Sequence, residues 1–124
     1  QDIITRRILA AIEHDHVDII GHPTGRLIGK RQGYAVDMSR VIERARETGT
    51  ALECNASPYR IDLDDGYIRE AVEKGVRIAI GTDAHEKVEL LHMEYGVTTC
   101  RRGWASRQDI LNTLNGSGLL EWVE

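Results

Sequence analysis

Two histidines and an aspartate stand where short apolar runs end. Val76-Arg77-Ile78-Ala79-Ile80 runs into Gly81-Thr82-Asp83-Ala84-His85, and Val17-Asp18-Ile19-Ile20-Gly21 runs into His22-Pro23. On an extended segment residues i and i+2 point to the same side, so Asp83 and His85 can converge on one point. With His22 supplied by a nearby parallel strand end, two imidazoles and a carboxylate would face a common pocket. Imidazole favours transition metals and carboxylate tolerates harder ions, so the set suits Zn²⁺, Mn²⁺ or Fe²⁺. Three protein ligands with open positions describe a catalytic site rather than a structural one. The plainer alternative has Asp83 capping the next turn and both histidines hydrogen-bonded in loops, and spacing alone leaves the two readings open.

Two further positions belong with these. The segment Gly25 to Gly33 contains three glycines and the basic residues Arg26, Lys30 and Arg31. It has neither the terminal Gly-Lys-Ser/Thr of a Walker loop nor the GxGxxG spacing of a dinucleotide site. Arg26, four residues from His22, is the candidate for binding a substrate phosphate, while Lys30 and Arg31 read equally well as solvated charges. Asn55 either orients a ligand or caps the loop before Pro58. His14, His16 and His92 read as surface or packing residues.

The elements that must position these groups are legible from periodicity. Ile4, Ile8, Ala11 and Ile12 recur at helical spacing, predicting an amphipathic helix over residues 2 to about 14. A strand follows at 17–21. Asp37 suits the N-cap of a helix with Val41, Ile42 and Ala45 on one face, closed by Gly49. A second strand is expected at 51–55, then a helix capped by Asp64 or Asp65 with Ile68, Ala71 and Val72, closed by Gly75, then a third strand at 76–81. A strand near 97–100, a helix from about 106 to 114 and a terminal turn with Trp122 complete the reading. Apolar strands alternating with helices signal parallel βα units, so the fold class is α/β, with ligands expected beyond the carboxyl ends of the strands.

Composition narrows the function classes. The 124 residues are 41% hydrophobic and 29% charged with a formal charge of −4, which disfavours coating of nucleic acid by bulk positive charge but allows a locally basic cleft. No apolar run approaches the roughly 20 residues needed to cross a bilayer. The chain therefore reads as soluble and cytoplasmic, with no membrane partner. Cys54 and Cys100 lack metal or redox spacing and read as reduced thiols.

The segments VDIIGHPTGRLIGKRQGY, ALECNASPYRIDL, RIAIGTDAH and MEYGVTTCRRGW resemble the C-terminal half of a PHP (polymerase and histidinol phosphatase) domain, in the version fused to bacterial family X DNA polymerases. The resemblance runs from about Val17 to Leu114. It implies the C-terminal part of a distorted (β/α)₇ TIM-like barrel, incomplete in this chain, with up to three divalent metal ions (Mn²⁺ or Zn²⁺, or Fe²⁺) at the strand ends. It also implies phosphoester hydrolysis, in the polymerase-fused members a 3′-5′ exonuclease acting on a DNA 3′ end in repair. By motif, His22, Asp83 and His85 match the family's metal ligands, Asp83 and His85 being the residues closest to catalysis. Ser57 stands where family members often carry a second asparagine, which leaves the role of that loop open. The N-terminal part of such a domain, which opens with an HxH motif and carries further His and Glu ligands, is not matched by these segments, so residues 1–124 are expected to be a single partial domain, a fragment inactive on its own. Its partners would be the missing N-terminal half of the barrel or, through exposed sheet edges, a second copy. Two alternatives remain: a small-molecule phosphatase of the histidinol phosphatase type, and a non-catalytic structural or interaction module.

Overall fold

The computed structural model describes residues 2–124. Helix α1 spans Asp2–Ile12, and the chain then enters a short strand, β1, Ile19–Ile20. Helix α2, Met38–Thr48, forms because Met38, Val41, Ile42 and Ala45 share one face, and all four are buried. The Asp37 side chain accepts a hydrogen bond from the Arg40 amide at its start, and Gly49, at φ 74°, turns the chain out at its end. The Thr5 hydroxyl of α1 accepts from the Asp37 amide at 2.9 Å, tying the two helices at that cap.

Strand β2, Ala51–Asn55, leads to helix α3, Asp65–Glu73, whose N-cap Asp64 accepts from the Tyr67 amide at 3.0 Å. Strand β3 is Ile78–Gly81. The three strands form one parallel sheet in the order β1-β2-β3, with Ile19 opposite Ala51 and Leu52, Cys54 and Asn55 opposite Ile78, Ile80 and Gly81. Val41, Ile42, Leu52, Cys54, Ile68, Ala71 and Ile78 are all fully buried and make the centre of the core. Cys54 and Cys100 are both free and buried, and the neighbouring Cys100 thiol together with burial pushes the Cys54 thiol far up.

The C-terminal third departs from expectation. The predicted strand at 97–100 lies inside a helix, α4, Met93–Arg102. Val97, Thr98 and Thr99 favour strands by propensity, but Gly96 and Cys100 are both buried and Met93 packs against the core, a spacing that only a helix presents to one side. The predicted helix over 106–114 is two single 3₁₀ turns, Arg107–Asp109 and Leu111–Thr113. The capping box between Ser106 and Asp109 is present, yet Ile110 is extended and bridges in parallel to Ile78, which ends the helix after one turn. The Asn112 side chain donates to the Ile80 carbonyl at 2.9 Å and accepts from the Ile80 amide at 2.8 Å. The terminal turn expected around Trp122 is helix α5, Gly116–Val123. Of the two sheet edges expected to be bare, the β3 edge is therefore partly satisfied by residues 110–112, while β1 remains at the edge of the sheet.

Helix α4 comes close to the sheet because Gly96 has no side chain. A Cβ there would lie 2.5 Å from Ile80 Cγ2 and 2.9 Å from Ala56 Cβ. Gly96→Ala should cost about 1–3 kcal/mol in urea unfolding by overpacking. Gly116→Ala, where an added Cβ meets open space, should stay within about 0.5 kcal/mol.

Candidate metal centre

Because the strands run parallel, their carboxyl ends lie along one rim, and each end brings polar residues to it. In β2 the odd residue out is Glu53, half-buried between the fully buried Leu52 and Cys54. A charge in a central strand needs partners. Glu53 Oε2 accepts the His22 backbone N–H at 2.6 Å, joining the end of β2 to the end of β1. On the other side, a Cβ on Gly81 would lie 2.5 Å from Glu53 Oε1, so the carboxylate occupies the space that the glycine leaves. Burial raises the Glu53 carboxyl above its ordinary range, opposed by the His22 amide and the Asn55 side chain.

Asn55, almost wholly buried, uses both ends of its side-chain amide. Its Nδ2 donates to Asp83 Oδ2 at 3.2 Å, and its Oδ1 accepts the Ser57 amide at 3.1 Å, closing the turn before Pro58. Arg60 Nε lies 3.6 Å from the same Asp83 oxygen. His85 Nδ1 is 2.7 Å from the Asp83 carbonyl oxygen. A carbonyl only accepts, so Nδ1 carries the proton and, in the neutral ring, the exposed Nε2 holds the lone pair. This is how metal-binding histidines are commonly oriented. His22 and Asp83 share a second trait: their φ angles are 26° and 54°. Left-handed backbone at residues with side chains costs on the order of 1–3 kcal/mol each and tends to gather at functional sites.

The loops after β1 and β2 are locked together by buried charge. Asp62, fully buried, accepts from the Thr24 amide with both oxygens, at 3.2 and 3.1 Å, and from the Gly25 amide at 2.9 Å. Arg26 turns back onto main chain: Nε donates to the Arg60 carbonyl at 2.7 Å and Nη2 to that of Ile61. The guanidinium that sequence assigned to a phosphate thus braces the 57–62 loop. Arg60 instead lines a cavity of about 420 Å³ together with Lys30, Ser57, Tyr59, Asp83 and His85. His22 lines a different cleft, beside Arg7 and Ile8 of α1 and Tyr34.

Among the described residues, no three His, Cys, Asp or Glu side chains are grouped so as to hold a metal ion. The donor chemistry of Asp83 and His85 fits a divalent transition ion, with a carboxylate and a free imidazole nitrogen at one strand end. His22 stands one strand away from the central strand, and further ligands would be needed. Sequence reasoning missed Glu53, Asp62 and Arg60. The signal for Glu53 was present, a lone charge within Ala-Leu-Glu-Cys-Asn, whereas Asp62 and Arg60 are marked by no pattern. Asp62→Ala would leave the Thr24 and Gly25 amides without their acceptor, at about 1–3 kcal/mol. Hydrogen exchange should speed up at those two amides and stay unchanged at Val41 in α2.

No protein-family model matches the chain. It is 48% identical over 112 residues to the DNA polymerase/3′-5′ exonuclease PolX of Bacillus subtilis, a match covering 90% of this chain and 20% of that protein. It is 30% identical over 115 residues to a probable phosphatase of Thermoanaerobacter sp. (strain X514), covering 88% of this chain and 44% of the relative. A probable phosphatase of Caldanaerobacter subterraneus subsp. tengcongensis is 36% identical over 87 residues, 65% of this chain and 32% of the relative. The chain thus spans between a fifth and less than half of the length of these relatives.

Proposed function

Since this chain belongs to the PHP family, as a C-terminal part of the domain that bacterial family X DNA polymerases carry, we propose that it supplies one side of a metal-dependent phosphoesterase centre. The observation that carries the reading is the Asp83–His85 pair, in which the Asp83 carbonyl fixes the His85 tautomer and leaves Nε2 free toward a cavity that Arg60 and Lys30 also line. Asp83 and His85 would hold the ion, with His22 from the end of β1 and ligands from the rest of the barrel. Bound there, a divalent ion supplies Lewis acidity to a phosphoryl oxygen and lowers the pKa of a coordinated water.

The chain's own residues do the remainder. Asn55 keeps the Asp83 carboxylate oriented, and Arg60 together with Lys30 offers positive charge to the nonbridging phosphate oxygens. Asn55 acts on substrate only through Asp83, and Arg26 acts by bracing the loop that presents Arg60. The substrate is a DNA 3′ end, trimmed in the 3′-5′ direction within a repair polymerase, a reading supported by the likeness to PolX. The likeness to the probable phosphatases favours a second reading, hydrolysis of a small phosphomonoester.

In the full-length polypeptide, Asp83→Ala and His85→Ala should each lower phosphoester hydrolysis by at least about 100-fold and reduce bound Mn²⁺. Any fused polymerase activity should be untouched. Unchanged hydrolysis in either variant refutes the site. Arg60→Ala should raise KM by about 10-fold without loss of metal, whereas Arg26→Ala should lower thermal stability as well. Competition between a 3′-recessed oligonucleotide and p-nitrophenyl phosphate tells nuclease from small-molecule phosphatase.

A further inference from the structure

The carboxylate of Glu53 belongs to none of the roles assigned above, yet it contacts the ends of both outer strands. Its Oε2 accepts the His22 amide at 2.6 Å, at a residue whose φ of 26° is unfavourable for any side-chain-bearing residue. A hydrogen bond to a carboxylate is among the stronger ones available to an amide, which suits it to hold a strained conformation. The space for the carboxylate is provided by Gly81. A Cβ on Gly21 would come to 3.4 Å from Oε2 and one on Gly81 to 2.5 Å from Oε1. Gly81 is the residue opposite Asn55, and Asn55 holds Asp83. Glu53 therefore stands between the main chain that presents His22 and the strand end that presents Asp83.

We infer that Glu53 is a positioning residue of the centre: through the His22 amide it fixes the backbone from which the His22 imidazole projects, and it does not itself bind the ion. The part concerning metal rests on the function proposed above; the part concerning the His22 backbone does not.

Two measurements on Glu53→Gln, Glu53→Ala and Gly81→Ala test this. The first is amide hydrogen exchange by NMR on the 124-residue chain without metal. Glu53→Ala should speed exchange at His22 by about 10- to 100-fold while Leu52 and Ile78 keep their protection. Glu53→Gln, whose amide oxygen still accepts, should stay within about 3-fold of the parent. Gly81→Ala, which pushes the carboxylate aside while leaving Glu53 in place, should resemble Glu53→Ala. The second is Mn²⁺ titration of the full-length polypeptide by calorimetry, where Glu53→Ala and Gly81→Ala should weaken binding by about 10- to 100-fold and Glu53→Gln should restore it. Protection of His22 retained in Glu53→Ala or in Gly81→Ala overturns the inference. So does a loss of Mn²⁺ in Glu53→Gln as large as in Glu53→Ala, since that marks Glu53 as a ligand. If Glu53→Ala does not fold, Gly81→Ala and Glu53→Gln decide it. If the parent takes up no Mn²⁺, the proposed function fails, and the exchange data still decide whether Glu53 holds His22.

Discussion

Burial of β2 on both faces is the constraint from which the rest follows. Ala51, Leu52, Cys54 and Asn55 are all sealed, so the strand can pair only with neighbours that are themselves covered by helices. The helices between successive strands make that pairing parallel, and parallel pairing puts every carboxyl end on one rim. The one charged side chain inside the strand, Glu53, turns to the His22 amide at that rim. The polar groups of that rim are thus placed by the hydrophobic core.

A second layer of order comes from charge used internally. Asp62 gathers two main-chain amides from the loop after β1, and Arg26 caps two main-chain carbonyls of the loop after β2. Each loop is thus held by a charge belonging to the other. Peptide groups buried under loops need such partners. Here they come from ionised side chains, whose hydrogen bonds are roughly twice as strong as neutral ones. The surface pairs on the helices, such as Arg69 with Glu73 in α3, are exposed and contribute little beside them.

How far the sequence was legible differs by region for physical reasons. The segments from α2 to β3 matched their reading because apolar period, capping aspartate and terminal glycine all agreed at each boundary, as at Asp37, Gly49 and Asp64. The strand at 97–100 misled because β-branched propensity outweighed the sparse core contacts of Gly96 and Cys100, whose burial only the tertiary structure reveals. In the centre, Asp83 and His85 were marked by their i, i+2 spacing, and the structure adds a hydrogen bond that spacing does not contain, from the His85 ring to the Asp83 carbonyl. Arg26 illustrates the opposite case. A basic residue near a histidine looks like a phosphate ligand, but nearby carbonyls without partners compete for it, and no linear pattern records where those carbonyls will lie.

Asn112 has a consequence for the growth of the sheet. By presenting an amide to the main chain of Ile80, it imitates a strand for the length of one residue, and Ile110 does the same beside Ile78. Beyond β3 the ladder is therefore terminated by side-chain mimicry. Beyond β1, only two residues long and with Ile19 still partly in solvent, the described residues offer no such stop. The sheet is polarised: Ile110 and Asn112 cover part of the β3 edge, while the β1 edge carries no such cover among the described residues.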